Sequence, residues 1–434
     1  MPAALPANSN EEIEGNADCE PLWVRAGDGA LDAGRRMTVL GLFGILISMA
    51  GFHFARVSQS RGRFIMFATL LIGHIAASIA YYYYAQEFGA DADMYYRDPF
   101  GYYGTESGLS TVFIVNFVQF LKSYFGGSFL DYFFLFQAMG FWGILFVLRS
   151  FDEIHEELGQ PNFKYVYLLL FLPGLHFWTS AIGKDAPVFL SVAMCTWAAF
   201  RLQSRYLAFA AAIVIALLVR PHIALIALVA LAMTVLVARN TSAVTRVALL
   251  AVTLGGIGAV SGLVETSFGG LSLTNTDAVG EFIETKSTVS EEAGGDQSIM
   301  GASFPVKLFS LLFRPFFIDA SGALGYIASL ENAVLLVVFA TLIWRSGTAL
   351  QVARAAMFAR FAAIFFVMLT ILLAMINYNV GLGLRQKMMM MPTLLTFLAA
   401  MLAVRSARRQ AVYDLRAAAY ASLLREREAQ RGAY

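Results

Sequence analysis

The triplet Arg220–Pro221–His222 stands in the run IALLVRPHIALIALV, where two apolar stretches meet with no loop between them. Proline suits the first turn of the following helix, because its missing N–H would have no partner there anyway. That helix start offers free N–H groups and a partial positive charge beside a guanidinium and an imidazole, which together make an anion site. The structural alternative is a snorkelling arginine followed by a helix-starting proline. A second basic element is NYNVGLGLRQKMMMMP, where Arg385 and Lys387 follow a glycine-containing turn and precede another apolar run. An arginine so close to hydrocarbon is costly unless it meets a counter-ion. Phosphate is a good partner, since the planar fork bonds two oxygens at once. Ordinary interfacial anchoring is the alternative, and it suits Lys387 better than Arg385. Asn377 and Asn379 are candidates to line the same cavity, and Met388, Met389, Met390 and Met391 read as adaptable filler near a lipid-facing groove. In PVKLFSLLFRPFFIDA, Arg314–Pro315 interrupts an apolar segment too short to cross a bilayer. A re-entrant half-helix there would aim Arg314 at the cavity, with Asp319 paired either to it or to Lys307 in an internal salt bridge.

Acidic candidates are fewer. In QEFGADADMYYRDPFGYYG, Asp91 and Asp93 lie among tyrosines. Side chains two apart in an extended loop point to one side, so both carboxylates would face the membrane surface. A carboxylate there can act as general base toward a hydroxyl or hold sugar hydroxyls. Tyr95, Tyr96, Tyr102 and Tyr103 offer flat faces for sugar rings, or else form a tyrosine belt at the headgroups. Lys184–Asp185, at another junction of apolar runs, is a self-neutralising pair or a further contribution to the cavity. His176, beside Trp178, is assigned nothing beyond hydrogen bonding. No metal-ligand spacing, phosphate-cradling glycine loop, nucleophilic triad or ATP motif appears, so no metal and no cofactor is expected.

The elements that must position these residues are membrane helices. Of 434 residues 58% are hydrophobic and only 14% charged, and the charges gather at the ends. Residues 1–36 carry ten of them, seven acidic, and residues 405–434 carry ten more, leaving about one in nine between. A soluble protein of this size would need about 25% charged residues. The net charge of +1 gives no reason to expect nucleic acid, and Cys19 and Cys195 are too few for a disulfide framework. The polar, acidic first 20 residues lack a signal-peptide pattern, so the first spanning helix is expected to set the membrane address.

A crossing helix needs about 20 apolar residues. The expected fold is all-α and polytopic, with about eleven spans (range 10–13): 37–55, 64–84, 129–149, 163–180, 186–202, 206–219, 221–238, 247–264, 327–344, 356–376 and 388–404. Residues 109–121 and 304–318 read as interfacial or re-entrant pieces. The expected organisation is a polar acidic tail (1–36), a transmembrane catalytic domain (37–404) with outer loops 85–128 and 265–326, and a cytoplasmic, helical tail (405–434). Alternate connections carry most of the basic residues, and with the C-terminal tail they hold 19 of the 31 Lys and Arg. The positive-inside rule places that set in the cytoplasm. Every polar element named above then falls on the outer side. The stretch 265–303, with seven acidic residues against one lysine and with Gly294 and Gly295 near its end, reads as an outer loop or a lid on the acceptor side.

A membrane cavity with outer-face arginines and a few acids suits glycans carried on polyprenyl phosphate or diphosphate. Fixed arginines can stabilise a departing diphosphate without a metal. The acidic–tyrosine loop, SAIGKDAPVFL, LVRPHIALI, FRPFFIDA…LGYIASLEN and NYNVGLGLRQKMMMMP, in that order, resemble the Wzy-type and EpsG-like polymerases of bacterial O-antigen and exopolysaccharide clusters. The resemblance runs from about residue 60 to 400. It implies a bacterial inner-membrane glycosyltransferase that polymerises undecaprenyl-diphosphate-linked oligosaccharide repeats, with membrane lipid, a chain-length regulator and export proteins as partners. In that family essential outer-loop arginines engage the lipid diphosphate, which maps onto Arg220, Arg314 and Arg385. Lys184, Asp185 and Lys387 are further substrate-binding candidates, and Asp91, Asp93 and His222 are candidates for the base. Two other readings remain open: a transferase using a polyprenyl monophosphate sugar, with Asp91 and Asp93 as the main catalytic residues, and a glycan or anion transporter.

Overall fold

The computed structural model describes residues 38–104, 108–158, 161–237, 242–267, 299, 301–344, 347–376 and 379–431. The N-terminal tail, Asn377, Gly294, Gly295 and most of the stretch expected as a loop or lid lie outside the described residues. Among the described residues the elements are helices: α1 (Val39–Phe54), α2 (Arg61–Phe88), α3 (Asp91–Arg97), α4 (Thr111–Phe125), α5 (Phe129–Leu158), α6 (Pro173–Trp178), α7 (Asp185–Ala198) and α8 (Leu202–Val219). They are followed by α9 (Pro221–Leu236), α10 (Ala243–Ser267), α11 (Phe304–Phe313), α12 (Gly322–Ile343), α13 (Gly347–Ala355), α14 (Met357–Ile376), α15 (Val380–Lys387) and α16 (Met391–Arg431).

The all-helical, multi-pass architecture is as expected, but the count of about eleven spans is not confirmed among the described residues. Among the described residues six apolar helical runs are long enough to cross a membrane: 61–88, 129–157, 185–219, 246–263, 322–340 and 357–376. A seventh arises if α15 and the start of α16, bent by 63°, count as one. The shortfall has local causes. Residues 163–180 form a 3-10 stretch, Pro161–Phe171, and then the six-residue α6. Helices α1 and α9 have 16 residues each, short of a full crossing. The run 185–219, counted as one by length, turns back on itself after α7, since Ser191 Oγ donates to the Ala212 carbonyl at 2.8 Å. The sequence reading places the break there, between 186–202 and 206–219. That fold-back makes α7 and α8 antiparallel and brings Asp185 beside Arg220.

Helix α5 is the axis of the bundle and packs against α1, α2, α7 and α16. Small residues allow that approach, as is usual between membrane helices. A Cβ on Gly140 would lie 1.9 Å from the Thr179 carbonyl oxygen, so no larger residue fits. Met388, Met389, Met390 and Met391 are fully buried in this core, correcting the expectation of a lipid-facing groove. Helix α2 starts at Ser60, whose hydroxyl accepts from Arg63 N at 3.1 Å, and stops at Gly89, whose φ of +70° favours glycine. From Arg63 to Tyr84 it rises about 32 Å, close to the hydrocarbon thickness. Two polar clusters therefore sit at opposite ends of the bundle.

Candidate functional site

Asp185 opens α7 and is nearly inaccessible. Its carboxylate accepts from Arg385 Nε through Oδ2, and Arg220 Nη2 lies 3.4 Å from Oδ1. Arg385 also donates through Nη1 to Asp91 Oδ2 at 2.6 Å. Two arginines far apart in sequence thus share one buried acid, and one of them reaches on to a half-exposed acid. Local sequence explains each position. Asn379 caps α15 by accepting from Gly381 N at 2.7 Å, which sets Arg385 on the second turn. Pro221 starts α9 and leaves Arg220 in extended backbone at the join. Gly183, with φ +152°, makes the turn before α7 that only glycine adopts freely.

Arg385 and Asp91 are wall residues of a cavity of about 1000 Å³, lined among others by Tyr81, Tyr84, Trp178 and Asp319, whereas Asp185 and Arg220 lie behind Arg385 and are not wall residues. Lys184 stands beside the cluster and donates to Ser110 Oγ at 3.0 Å and Thr111 Oγ1 at 2.7 Å. Burial, with the Arg220 charge next, pulls its ammonium down to about 8. Lys184 and Asp185 therefore do not neutralise each other as a pair. Tyr95 is buried under Gly183, and burial pushes its phenol well above its usual value, so it stays protonated at neutral pH.

Several expectations are corrected. Asp91 and Asp93 are not side by side in an extended loop. They open the helix α3, where residues two apart diverge. Asp93 is turned to Arg97 at 2.6 Å while Asp91 meets Arg385. Arg314 binds Asp319 through two hydrogen bonds of 2.7 and 2.8 Å, the internal salt bridge rather than a free cation. That hydrogen bonding holds the Asp319 carboxyl below its usual range, and Asp319, not Arg314, is a wall residue of the cavity. Lys387 is neither an interfacial anchor nor a cavity residue: it is wholly buried and donates to Asn332 Oδ1 on α12. His222 lies on α9 beside Arg220 and is not among the wall residues of the cavity, which leaves it badly placed as the base.

The aromatic faces at the cavity are Tyr81, Tyr84, Phe171, Phe177 and Trp178, not the loop tyrosines. Tyr96 instead donates its hydroxyl to the Gly127 carbonyl at 2.9 Å, under the Lys122 ammonium. Tyr102 is half-buried and Tyr103 exposed, and neither is a wall residue of the cavity. His176 does more than expected. It lines the cavity, and its Nδ1 lies 3.2 Å from Nδ1 of buried His74. Sequence reasoning gave no role to Glu331 and Asn332. Glu331 Oε2 accepts from Gly174 N at 2.6 Å and Asn332 donates to the Pro315 carbonyl at 3.0 Å, so both brace the cavity wall. The signal was present, because a Glu–Asn pair inside an apolar 22-residue helix is costly without a purpose.

Chemically the site offers one guanidinium group at the cavity wall, a second guanidinium and an ammonium behind it, one half-exposed carboxylate, and aromatic walls. Among the described residues no group of three or more metal-ligating side chains is present. No family model, curated protein or solved structure matches this chain.

Proposed function

We propose that this chain polymerises lipid-linked oligosaccharide repeat units into a bacterial surface or secreted polysaccharide, by glycosyl transfer from undecaprenyl diphosphate at the outer face of the inner membrane. The observation that carries this reading is the convergence of Arg220 and Arg385 on Asp185, with Arg385 and Asp91 in the wall of a large cavity beside helices long enough to cross a membrane. The terminal hydroxyl of the incoming repeat attacks the anomeric carbon of the growing chain. The new C–O bond forms as the bond to the diphosphate oxygen breaks, and the diphosphate leaves with that electron pair. Arg385 and Arg220, already held by Asp185, stabilise the charge without rearranging. A diphosphate on Arg385 displaces Asp91 from Nη1, and the released carboxylate takes the hydroxyl proton. Lys184 adds positive charge, while Arg314 acts through Asp319.

Arg220→Ala and Arg385→Ala test this in cells. Both are expected to abolish polymer while single lipid-linked repeats accumulate. Normal polymer from either variant contradicts the reading. A second reading, transfer from a polyprenyl monophosphate sugar, is favoured by one feature: Asp91 is half-exposed at the cavity and placed to act as base. Under it the same substitutions give truncated repeats instead of single complete ones.

A further inference from the structure

Two imidazoles that the proposed reaction does not use meet where α2 packs on α6. His74 of α2 is wholly buried, and His176 of α6 is a wall residue of the cavity. Their Nδ1 atoms are 3.2 Å apart, within hydrogen-bond reach. His74 stands about 17 Å from Arg63 along a helix long enough to cross a membrane, so the pair lies near the middle of the hydrocarbon thickness. The fold makes room for it: a Cβ on Gly140 of α5 would come 3.0 Å from His74 Nε2. Ionisable side chains at such depth are costly and commonly mark proton sites.

Hydrogen accounting decides what the pair holds. His74 Nε2 faces the Gln137 carbonyl at 3.2 Å, and His176 Nε2 faces the Leu170 carbonyl at 2.8 Å. A carbonyl oxygen only accepts, so each Nε2 must carry a proton. A neutral imidazole has a single N–H, which leaves two bare Nδ1 lone pairs aimed at each other. Two buried acceptors in that position repel. One added proton, bonded to either Nδ1, turns the clash into an N–H···N hydrogen bond and gives the pair one positive charge. Both carbonyls then accept from the charged form, which favours it.

We propose that His74 and His176 form a proton-binding site, in which one proton shared between the two Nδ1 atoms ties α2 to α6 beside the cavity. The site is independent of the polymerase reading. Its ligand is a proton and not a metal ion, because among the described residues no third ligand joins the two nitrogens. Toward Arg63 the Phe141 and Phe67 rings close the space next to His74, so the pair opens to the cavity through His176. Among the described residues the acid bonded to α6 is Glu331 of α12, at Gly174 N, with Lys387 beyond it on Asn332. The other charged groups of α2 and α5 stand toward the helix ends: Arg61, Arg63 and Glu87 on α2, Asp131, Arg149, Asp152 and Glu153 on α5. Of the tyrosines, Tyr81 packs on Phe177 and Tyr167 donates to Asp152.

The test is nitrogen-15 NMR of the full-length protein in nanodiscs, with its histidine rings labelled and titrated from pH 8 to pH 4. The pair is expected to take up a single proton in one step, with both Nε2 atoms protonated throughout and a coupling across Nδ1–H···Nδ1 in the proton-bound form. His74→Asn supplies an amide N–H that reaches His176 Nδ1 without an added proton, so the step should vanish in that variant. Uptake of no proton, uptake of two protons in separate steps, or a step at His176 that survives His74→Asn overturns the proposal. Zinc binding by the unaltered protein that His74→Asn removes overturns it as well. The proton count on the unaltered protein decides the matter if the variant fails to fold. None of these readouts needs polymer to form, so loss of the catalytic reading leaves the site to be judged on its own.

Discussion

The two polar clusters at opposite ends of the bundle use the same chemistry for different ends. At the end expected to face the cytoplasm, Arg63 binds Asp152, Arg149 approaches the same carboxylate at 2.9 Å, and Tyr167 donates to its other oxygen at 2.8 Å. Arg205 binds Glu153 at 2.8 Å and lies over the Trp197 ring at 3.8 Å. These residues tie α2, α5, α7 and α8 together, and none of them lines the cavity. At the other end Asp185 likewise holds two arginines, but Arg385 and Asp91 open onto about 1000 Å³ of space. An arginine–carboxylate pair is thus no sign of a site by itself. What distinguishes the second cluster is a cavity, a half-exposed acid on the shared arginine, and a lysine beside it.

Substitutions should separate the two ends. Arg385→Ala removes the group that bridges both acids and is expected to lower turnover at least ~100-fold, measured as polymer formed per folded protein. Arg205→Ala leaves Glu153 buried without its main partner. Breaking such a pair costs about 3–5 kcal/mol, so the melting temperature should fall while turnover per folded molecule changes less than about 2-fold. An equal loss of turnover in both variants would erase the distinction. Asp91→Asn should keep anion binding and reduce turnover about 10-fold or more, if the freed carboxylate is the base. The pH profile offers a smaller, signed effect. Lys184 is charged below about 8 and neutral above it, so anion affinity should fall as pH rises from 7 to 9. Lys184→Arg keeps its charge and should flatten that fall. Asp93→Asn touches only an exposed pair with Arg97, and both polymer yield and stability should stay near those of the parent.

What was legible in the sequence follows from cost. Charged residues at the ends of apolar runs are expensive, so Arg220, Arg385 and Asp185 announced themselves, and the outer side was read as one surface. The helical class followed from composition in the same way. Span number did not, because apolarity does not reveal where a run leaves the α-helix, as it does over the 3-10 stretch Pro161–Phe171. Register misled at Asp91 and Asp93, where a short helix replaced an extended loop and sent the two carboxylates apart. Depth misled at Lys387, since a partner such as Asn332, distant in sequence, decides whether a lysine reaches water or turns inward. A cavity beside the arginines was expected, but its walls were not legible, being made by Gly73, Ala77, Trp178 and residues of α12 that no local pattern joins.

The most direct measurement is release of undecaprenyl diphosphate by the purified protein in nanodiscs supplied with lipid-linked repeat units. One molecule of the diphosphate lipid is predicted per new glycosidic bond, with none above background for Arg385→Ala. Bond formation by Arg385→Ala at the unaltered rate, or elongation with no diphosphate lipid released, would contradict the account.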